Sequence, residues 1–195
     1  VTAAAVLTHV LTRLGISSVV HIPDRFDDGY GLNPQGLEKV ASLGAGLVVT
    51  VDCGIRSAEE VRQAHALGMG IVITDHHDPG EEIPAADAVI DPKDGDGLEG
   101  FREFSGAGVA YLVAAALASR AGAEEPEDLL DLVAIGTVSD LVPLVGPNRS
   151  LVRRGLAQLR AAPRPGLQAL IDVAGLQRGN LAASSIGFGL GPRLN

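Results

Sequence analysis

Residues 46–78 read GLVVTVDCGIRSAEEVRQAHALGMGIVITDHHD, and this stretch decides the fold class. Its two apolar runs, 46–51 and 71–74, are rich in Val and Ile and have the length of buried strands. Between them, Ser57 and Glu60 have the spacing of a capping box, which predicts that a helix begins there. A strand, a helix and a second strand in this order predict a right-handed βαβ unit with parallel strands.

The rest of the chain adds helices on both sides of this unit. We expect an α/β fold in which a parallel β-sheet is flanked by helices, with a mostly helical C-terminal half. We treat residues 1–195 as one domain, with an α/β part at about 1–92 and a helical part at about 101–195. Hydrophobic periodicity and Gly or Pro stops predict helices at 2–14, 34–43, 57–67, 108–118, 127–138, 149–160 and 165–173, and further strands at 17–22 and 88–90.

Composition limits the class of protein. Hydrophobic residues make up 46% of the chain, charged residues 20%, and mean hydropathy is +0.25, which is typical of a soluble globular protein. The single cysteine, Cys53, cannot form a disulfide within the chain, and no apolar run reaches the roughly 20 residues of a membrane span. We therefore expect a cytoplasmic protein without a membrane partner. The net charge of -9 argues against broad non-specific binding of nucleic acid by this segment.

Acidic and imidazole side chains follow the two central strands. Ligands of open parallel sheets bind beyond the carboxyl ends of the strands, where Asp52 and Asp75 are predicted to lie. Asp52 alone is more typical of a helix cap or a turn. Asp75 is followed by His76, His77 and Asp78, and imidazole with carboxylate suits Mn²⁺, Fe²⁺, Zn²⁺ or Co²⁺. A solvated polar loop is the alternative, and we favour a metal or phosphate site over it.

Two further residues have both a chemical and a structural interpretation. Asp140 interrupts an apolar segment, either as a fourth ligand or as a turn former at a helix C-terminus before Pro143. Cys53 is either a nucleophile or, as we prefer, a small buried residue. The sequence has no phosphate-binding loop that ends in Lys-Ser or Lys-Thr, no Cys-x-x-Cys pair and no Gly-x-Ser-x-Gly elbow.

Six motifs, in order along nearly the whole chain, resemble the DHH phosphoesterase family. The resemblance is strongest to the members that degrade single-stranded DNA from 5′ to 3′ in recombination and repair. The motifs are Arg25-Phe26-Asp27-Asp28-Gly29-Tyr30-Gly31, Val51-Asp52-Cys53-Gly54-Ile55, Thr74-Asp75-His76-His77, Ser105-Gly106-Ala107-Gly108, Gly136-Thr137-Val138-Ser139-Asp140 and Pro192-Arg193-Leu194-Asn195.

The resemblance implies a two-metal site that uses Mn²⁺ or Mg²⁺ to hydrolyse phosphodiester bonds. Asp52 would bridge the two cations, and His76 and Asp140 would both be ligands of one of them. Asp75 would be either a further ligand or a residue that orients a histidine.

The resemblance also implies contacts with the substrate. His77 would contact the scissile phosphate, while Arg25 and Arg193 would hold phosphate oxygens, a task that suits the guanidinium group. The implied partners are single-stranded DNA and a single-strand-binding protein or a helicase.

The chain departs from the family pattern at both ends. The family's first Asp-x-Asp motif and its second, substrate-binding domain are missing, so we expect a fragment with an incomplete metal site that is weakly active or inactive alone. Two alternatives stay open: an enzyme acting on short oligonucleotides, cyclic dinucleotides or pyrophosphate, and a non-catalytic scaffold in a replication complex.

Overall fold

The computed structural model describes residues 1–24, 29–94, 100–161 and 164–194. These residues divide into two compact units, an α/β unit at Ser17–Arg102 and a helical unit made of Val1–Ile16 with Glu103–Asn195. The strands are β1 Leu47–Val49, β2 Gly70–Thr74 and β3 Ala88–Ile90. The main helices are α1 Thr2–Arg13, α2 Pro34–Ser42, α3 Ala58–Ala66, α4 Gly106–Arg120, α5 Leu130–Ser139, α6 Gly146–Ala161 and α7 Pro165–Val173.

Short helical turns complete the described chain. They are 3₁₀ turns at Glu127–Leu129 and Arg178–Asn180, α-helical turns at Ala183–Ser185 and Gly191–Leu194, and a π-helical turn at Ile186–Leu190. None of the helices in the described ranges is long and apolar enough to cross a membrane.

The α/β unit contains a parallel sheet in the order β1-β2-β3, which confirms the predicted fold class. Pairing continues beyond the ends of the strands. The Asp52 N–H donates to the Thr74 carbonyl at 3.0 Å, and the Asp75 N–H donates to the Ile90 carbonyl at 3.1 Å. The residues that follow the three strands therefore emerge at one edge of the sheet.

Helices α2 and α3 supply the apolar partners of this sheet. A cluster of side chains that are at most 2% exposed joins the two helices to β2. Its members are Leu37, Val61, Ala64, Met69, Ile71 and Ile73. Burial of this aliphatic surface, at about 25 cal/mol per Å², favours the docked helices and thereby fixes the loops at the sheet edge.

In the helical unit, α5 is buried on nearly all sides. Eight of its ten residues are buried, and helices α1, α4 and α6 all pack against it. Gly155 of α6 permits one of these contacts, because a Cβ atom there would collide with the carbonyl oxygen of Leu130 and lie 2.6 Å from the Ala134 Cβ.

Most predicted helices and strands lie within a few residues of their observed positions, but the strand predicted at 17–22 is wrong. These residues belong to no helix or strand, and Val19 and Ile22 are more than half exposed. An extended segment becomes a strand only when a neighbour completes its hydrogen bonds, and no described strand pairs with this one. The apolar run alone could not show whether such a neighbour exists.

The predicted capping box at Ser57 and Glu60 is also absent, although α3 begins there. The Ser57 side chain makes no capping hydrogen bond, and the Val61 N–H donates to the Ser57 carbonyl at 3.0 Å. Glu59 and Glu60 lie in the first turn, where negative charge is favourable near the helix N-terminus.

We expect Gly155→Ala to lower the free energy of unfolding by about 1 to 3 kcal/mol, because the added methyl group forces α6 away from α5. Urea unfolding followed by circular dichroism measures the change. Gly166→Ala in α7 is the matched control, since a Cβ atom at Gly166 meets nothing within 4 Å. Equal stability of the Gly155→Ala variant and the wild type would contradict the close helix contact.

Asp128 links α1 to the turn before α5. Arg13 donates to both of its carboxylate oxygens, at 2.8 and 2.5 Å, and Arg164 donates to it at 3.4 Å. The hydrogen bond from Arg13 is the main reason that the pKa of Asp128 lies below its ordinary value. A carboxyl group with a depressed pKa stabilises the fold above its unfolded pKa of about 3.9 and loses that contribution as the pH falls through its folded pKa.

We therefore expect Asp128→Asn to be less stable than the wild type by under about 1 kcal/mol near pH 7, because the ion pairs are half exposed. The difference should shrink below about pH 4. Urea midpoints across this pH range measure it, with exposed Glu124→Gln as the control. A difference that is independent of pH would show that charge is not the cause.

Candidate metal centre

Four side chains from the sheet edge of the α/β unit come together. Asp52 follows β1, and Asp75, His76 and His77 follow β2. One potential ligand atom from each lies within 4.8 Å of all the others. The sequence predicted all four as site residues, and the structure places them in one cluster, which we call the Asp-His cluster.

Asp52 enters the cluster from an unusual backbone conformation. Its φ of +65° lies in the left-handed region, which Asp tolerates better than most residues other than Gly. Its carboxylate is 43% exposed, and Oδ1 lies 2.9 Å from Nε2 of the buried His76. A carboxylate and an imidazole from two different loops are thus already adjacent.

Asp75 is the buried acceptor at the centre of the cluster. Its side chain is 2% exposed. Oδ2 accepts the Ile55 N–H at 3.0 Å, while Oδ1 accepts the His76 N–H at 2.8 Å and faces Nδ1 of His77 at 2.7 Å. With both oxygens engaged by protein donors, Asp75 is better placed to orient His77 than to bind a cation itself.

The protonation of Asp75 determines the tautomer of His77. Burial acts to raise the pKa of Asp75, but hydrogen bonds from Ile55, the His77 ring and the His76 N–H outweigh it, and the pKa lies below its ordinary value. Asp75 is therefore ionised at neutral pH and can only accept, so Nδ1 of His77 carries the proton. Nε2 is then the nitrogen that can bind a cation when neutral, or donate a hydrogen bond when protonated.

Two threonines hold the strand ends together beneath the cluster. The Thr74 hydroxyl donates to the Thr50 carbonyl at 2.6 Å, and the Thr50 hydroxyl donates to the Cys53 carbonyl at 2.7 Å. Gly54 completes the turn with a φ of +112°, where a side chain would also press on the Thr50 hydroxyl. These contacts fix the loop that carries Asp52.

Cys53 is unsuited to be a nucleophile. Burial raises the pKa of its thiol to about 12, and the nearby charges of Asp75 and Asp52 act in the same direction. The thiolate is the reactive form, and little of it exists at neutral pH. The interpretation of Cys53 as a small, largely buried residue is therefore the better one.

Asp91 is an acidic residue of this edge that is not among the predicted site residues. It follows β3 directly, and its Oδ1 accepts the Lys93 N–H at 2.8 Å. Its Oδ2 is buried without a hydrogen-bond partner among the described residues, and burial raises the pKa of the carboxyl group. The rule that indicated Asp52 and Asp75, an acid after a parallel strand, applies equally to Asp91.

The three remaining predicted residues lie outside this cluster's unit or outside the described ranges. Asp140 is exposed at the C-terminus of α5, in the helical unit, where its N–H donates to the Gly136 carbonyl at 3.0 Å. Arg193 lies in the last helical turn and donates to the Gly189 carbonyl at 2.7 Å. Arg25 falls outside the described residues. The roles assigned to these three residues stay predictions.

The donors of the Asp-His cluster fit a divalent transition metal. Ligand atoms lie about 2.0 to 2.2 Å from such an ion, so two ligands of one ion are at most about 4.4 Å apart, close to the spacing found here. Carboxylate oxygen with imidazole nitrogen is a mixed set that suits Mn²⁺, Fe²⁺ or Zn²⁺.

The chain is similar over most of its length to proteins of one family. The model of the "DHH family, N-terminal domain" matches residues 1–137. The single-stranded-DNA-specific exonuclease RecJ of Bacillus subtilis is 43% identical over 195 residues, which are the whole of this chain and 24% of that protein. RecJ of Dickeya dadantii is 44% identical over 207 residues, which cover the whole chain and 36% of its own length. The chain thus spans between about a quarter and about a third of the length of these curated relatives.

Solved structures give the same result. A crystal structure of exonuclease RecJ bound to manganese has a TM-score of 0.89 and 36% identity, and the match covers all of this chain and 49% of that one. RecJ from Thermus thermophilus in complex with Mn²⁺ has a TM-score of 0.83 and 33% identity, covering 98% of this chain and 27% of that one. The resemblance seen in the sequence motifs is confirmed. Since the family model matches well over half of its residues, this chain belongs to the DHH family.

Proposed function

We propose that this chain contributes the metal-binding part of an enzyme that hydrolyses phosphodiester bonds, acting from 5′ to 3′ on single-stranded DNA with Mn²⁺ or Mg²⁺ in recombination and repair. The observation that carries the proposal is the Asp-His cluster, in which two carboxylates and two imidazoles lie within 4.8 Å of each other. The names of the similar proteins support the choice of substrate.

Within the proposed reaction, Asp52 and His76 would hold a divalent cation, and Asp140 is proposed as a further ligand. When bound, paired cations supply an acidified water and neutralise charge on the attacked phosphoryl group. The negative charge of Asp52 and Asp75 favours cation binding at the sheet edge, and the buried position of His76 fixes the direction from which its imidazole approaches.

His77 is the proposed contact to the scissile phosphate, and Asp75 is its positioning residue. The bond from Nδ1 to Asp75 holds the imidazole ring in one orientation. A protonated Nε2 can donate a hydrogen bond to a phosphate oxygen as negative charge builds up there. Arg25 and Arg193 are proposed to hold further phosphate oxygens.

The partner proteins belong to the same proposal. Because the proposed substrate is single-stranded DNA, a single-strand-binding protein or a helicase would present the strand to the enzyme.

We expect Mn²⁺ to bind the chain and His76→Ala to weaken this binding by at least about 10- to 100-fold, because a ligand is lost. Isothermal titration of MnCl₂ into the protein measures the affinity. His65→Ala is the matched control, since His65 is an exposed histidine of the same unit that pairs with Asp87. An affinity that is equal in both variants would place the metal elsewhere, and no binding by the wild type would favour a non-catalytic scaffold.

We expect slow, Mn²⁺-dependent release of short products from the 5′ end of single-stranded DNA, which EDTA abolishes. His77→Ala should lower kcat by about 10² to 10³, the usual effect of removing one group that stabilises transition-state charge. Gel analysis of 5′-labelled and 3′-labelled strands gives rate and polarity, and exposed His9→Ala in α1 is the control. Faster cleavage of dinucleotides or pyrophosphate than of long DNA would show that the proposed substrate is wrong and that the enzyme acts on these small molecules.

A further inference from the structure

The net charge of the chain conceals two regions of opposite sign. Residues 1–140 contain 23 acidic and eight basic residues, whereas residues 141–195 contain seven arginines and one acid, Asp172. The first region thus carries a net charge of -15 and the second a net charge of +6. In the folded helical unit, residues 1–16 and 103–140 add seven acids and two bases to residues 141–195, so this unit carries a net charge of +1, against -10 for the α/β unit. A polyanion is therefore repelled chiefly by the α/β unit.

The positive charge is ordered along one helix. Arg149, Arg153 and Arg160 of α6 lie within about 40° of each other around the helix axis, and they extend over about 16 Å of its length. Helix α6 contains no acidic residue. Arg154 lies on another side of the helix and pairs with Glu127.

These arginines are available to a ligand to different degrees. Arg149 and Arg153 are exposed, and neither takes part in an ion pair among the residues that the structure describes. Arg160 is held in place, because its Nε and Nη2 both donate to the Leu181 carbonyl. Surface arginines of an acidic protein have many carboxylates to pair with. It is therefore informative that Arg149 and Arg153 form no ion pair among the described residues, beside an Arg160 that is held in place.

An open cavity of about 210 Å³ lies beneath these side chains. It is lined by Leu144, Arg149, Val152, Arg153, Leu156 and Arg160. Val152 and Leu156 are buried aliphatic residues, so the site combines an apolar floor with a cationic rim. A nucleotide has the complementary pair of surfaces, an anionic phosphate and the apolar faces of its sugar and base.

We propose that this surface, which we call the α6 arginine stripe, binds the phosphodiester backbone of single-stranded nucleic acid. The stripe belongs to the helical unit, whereas the Asp-His cluster belongs to the α/β unit. The inference rests on the proposed function for its ligand. Several cations in a line match a ligand with regularly repeating anions, and guanidinium binds phosphate through two parallel hydrogen bonds. The stripe adds affinity for the strand and takes no part in bond cleavage.

The salt dependence of DNA binding tests the stripe directly. The 195-residue chain is titrated into a fluorescein-labelled oligothymidylate of about 16 nucleotides, with EDTA present to prevent hydrolysis, and anisotropy is followed between about 50 and 200 mM NaCl. Arg149→Gln/Arg153→Gln should reduce the slope of log K against log salt by about 1.4, since each phosphate contact on a single strand contributes about 0.7.

Two further variants separate the stripe from general effects of charge and stability. Arg62→Gln/Arg120→Gln removes the same charge from exposed positions in the acidic region and should leave the slope unchanged. Arg149→Lys/Arg153→Lys keeps the charge and should keep the slope. Urea midpoints of all variants show that they are folded.

The results that overturn the inference are distinct from those that overturn the proposed function. An unchanged slope in the Arg149→Gln/Arg153→Gln variant, or no binding by the wild type at the lowest salt concentration, rejects the stripe as a DNA site. Oligoglutamate binding that is lost in this variant while DNA binding persists would assign the stripe to an acidic protein segment instead. Mn²⁺ titration and product analysis test the Asp-His cluster independently, so either proposal can fail alone.

Discussion

The carboxylate of Asp75 is the interaction on which the candidate site depends. It is an ionised group at 2% side-chain exposure, and a buried charge is tolerated only when donors surround it. The donors come from two loops, because Ile55 follows β1 while His76 and His77 follow β2. Hydrogen bonds from these donors compensate the cost of removing the carboxylate from water. The same bonds tie the two loops together and fix the imidazole of His77.

The loops on either side of this carboxylate explain how the side chains of the cluster are held close together. Asp52 has a left-handed conformation in a turn whose Cys53 carbonyl accepts a hydrogen bond from the Thr50 hydroxyl. The Thr50 carbonyl in turn accepts one from the Thr74 hydroxyl of the neighbouring strand. Oδ1 of Asp52 then lies 2.9 Å from Nε2 of His76, although the two residues belong to different loops. Two electron-rich groups held this close are stabilised by a proton or a cation between them, and preorganisation of this kind lowers the cost of binding one.

The sequence could predict the parts of the fold that depend on local pattern and the parts of the site that depend on topology. The predicted boundaries of α7 and β3 agree with the observed ones to the residue, and the position of Asp52 and Asp75 after parallel strands identifies them from the sequence. The prediction of a strand at 17–22 was wrong because a strand needs a neighbour to pair with, and the residues of the segment do not encode that neighbour. Asp91 was missed because its loop is rich in Asp and Gly, so that one acid could not be distinguished from several by composition.

Net charge is an average over the whole chain, whereas the acids of the sheet edge and the arginines of α6 belong to different units. A charge of -9 argues against binding nucleic acid only if it is spread evenly, and screening limits the reach of exposed charges to about 10 Å at moderate salt. Carboxylates at the sheet edge suit cations and arginines on α6 suit phosphates, and both are needed by a protein that brings metal ions to a polyanion. Placing the two sets of charges on different elements favours both ligands, because an acid paired with Arg149 or Arg153 would neutralise the guanidinium group, and an arginine paired with Asp52 would compete with the metal.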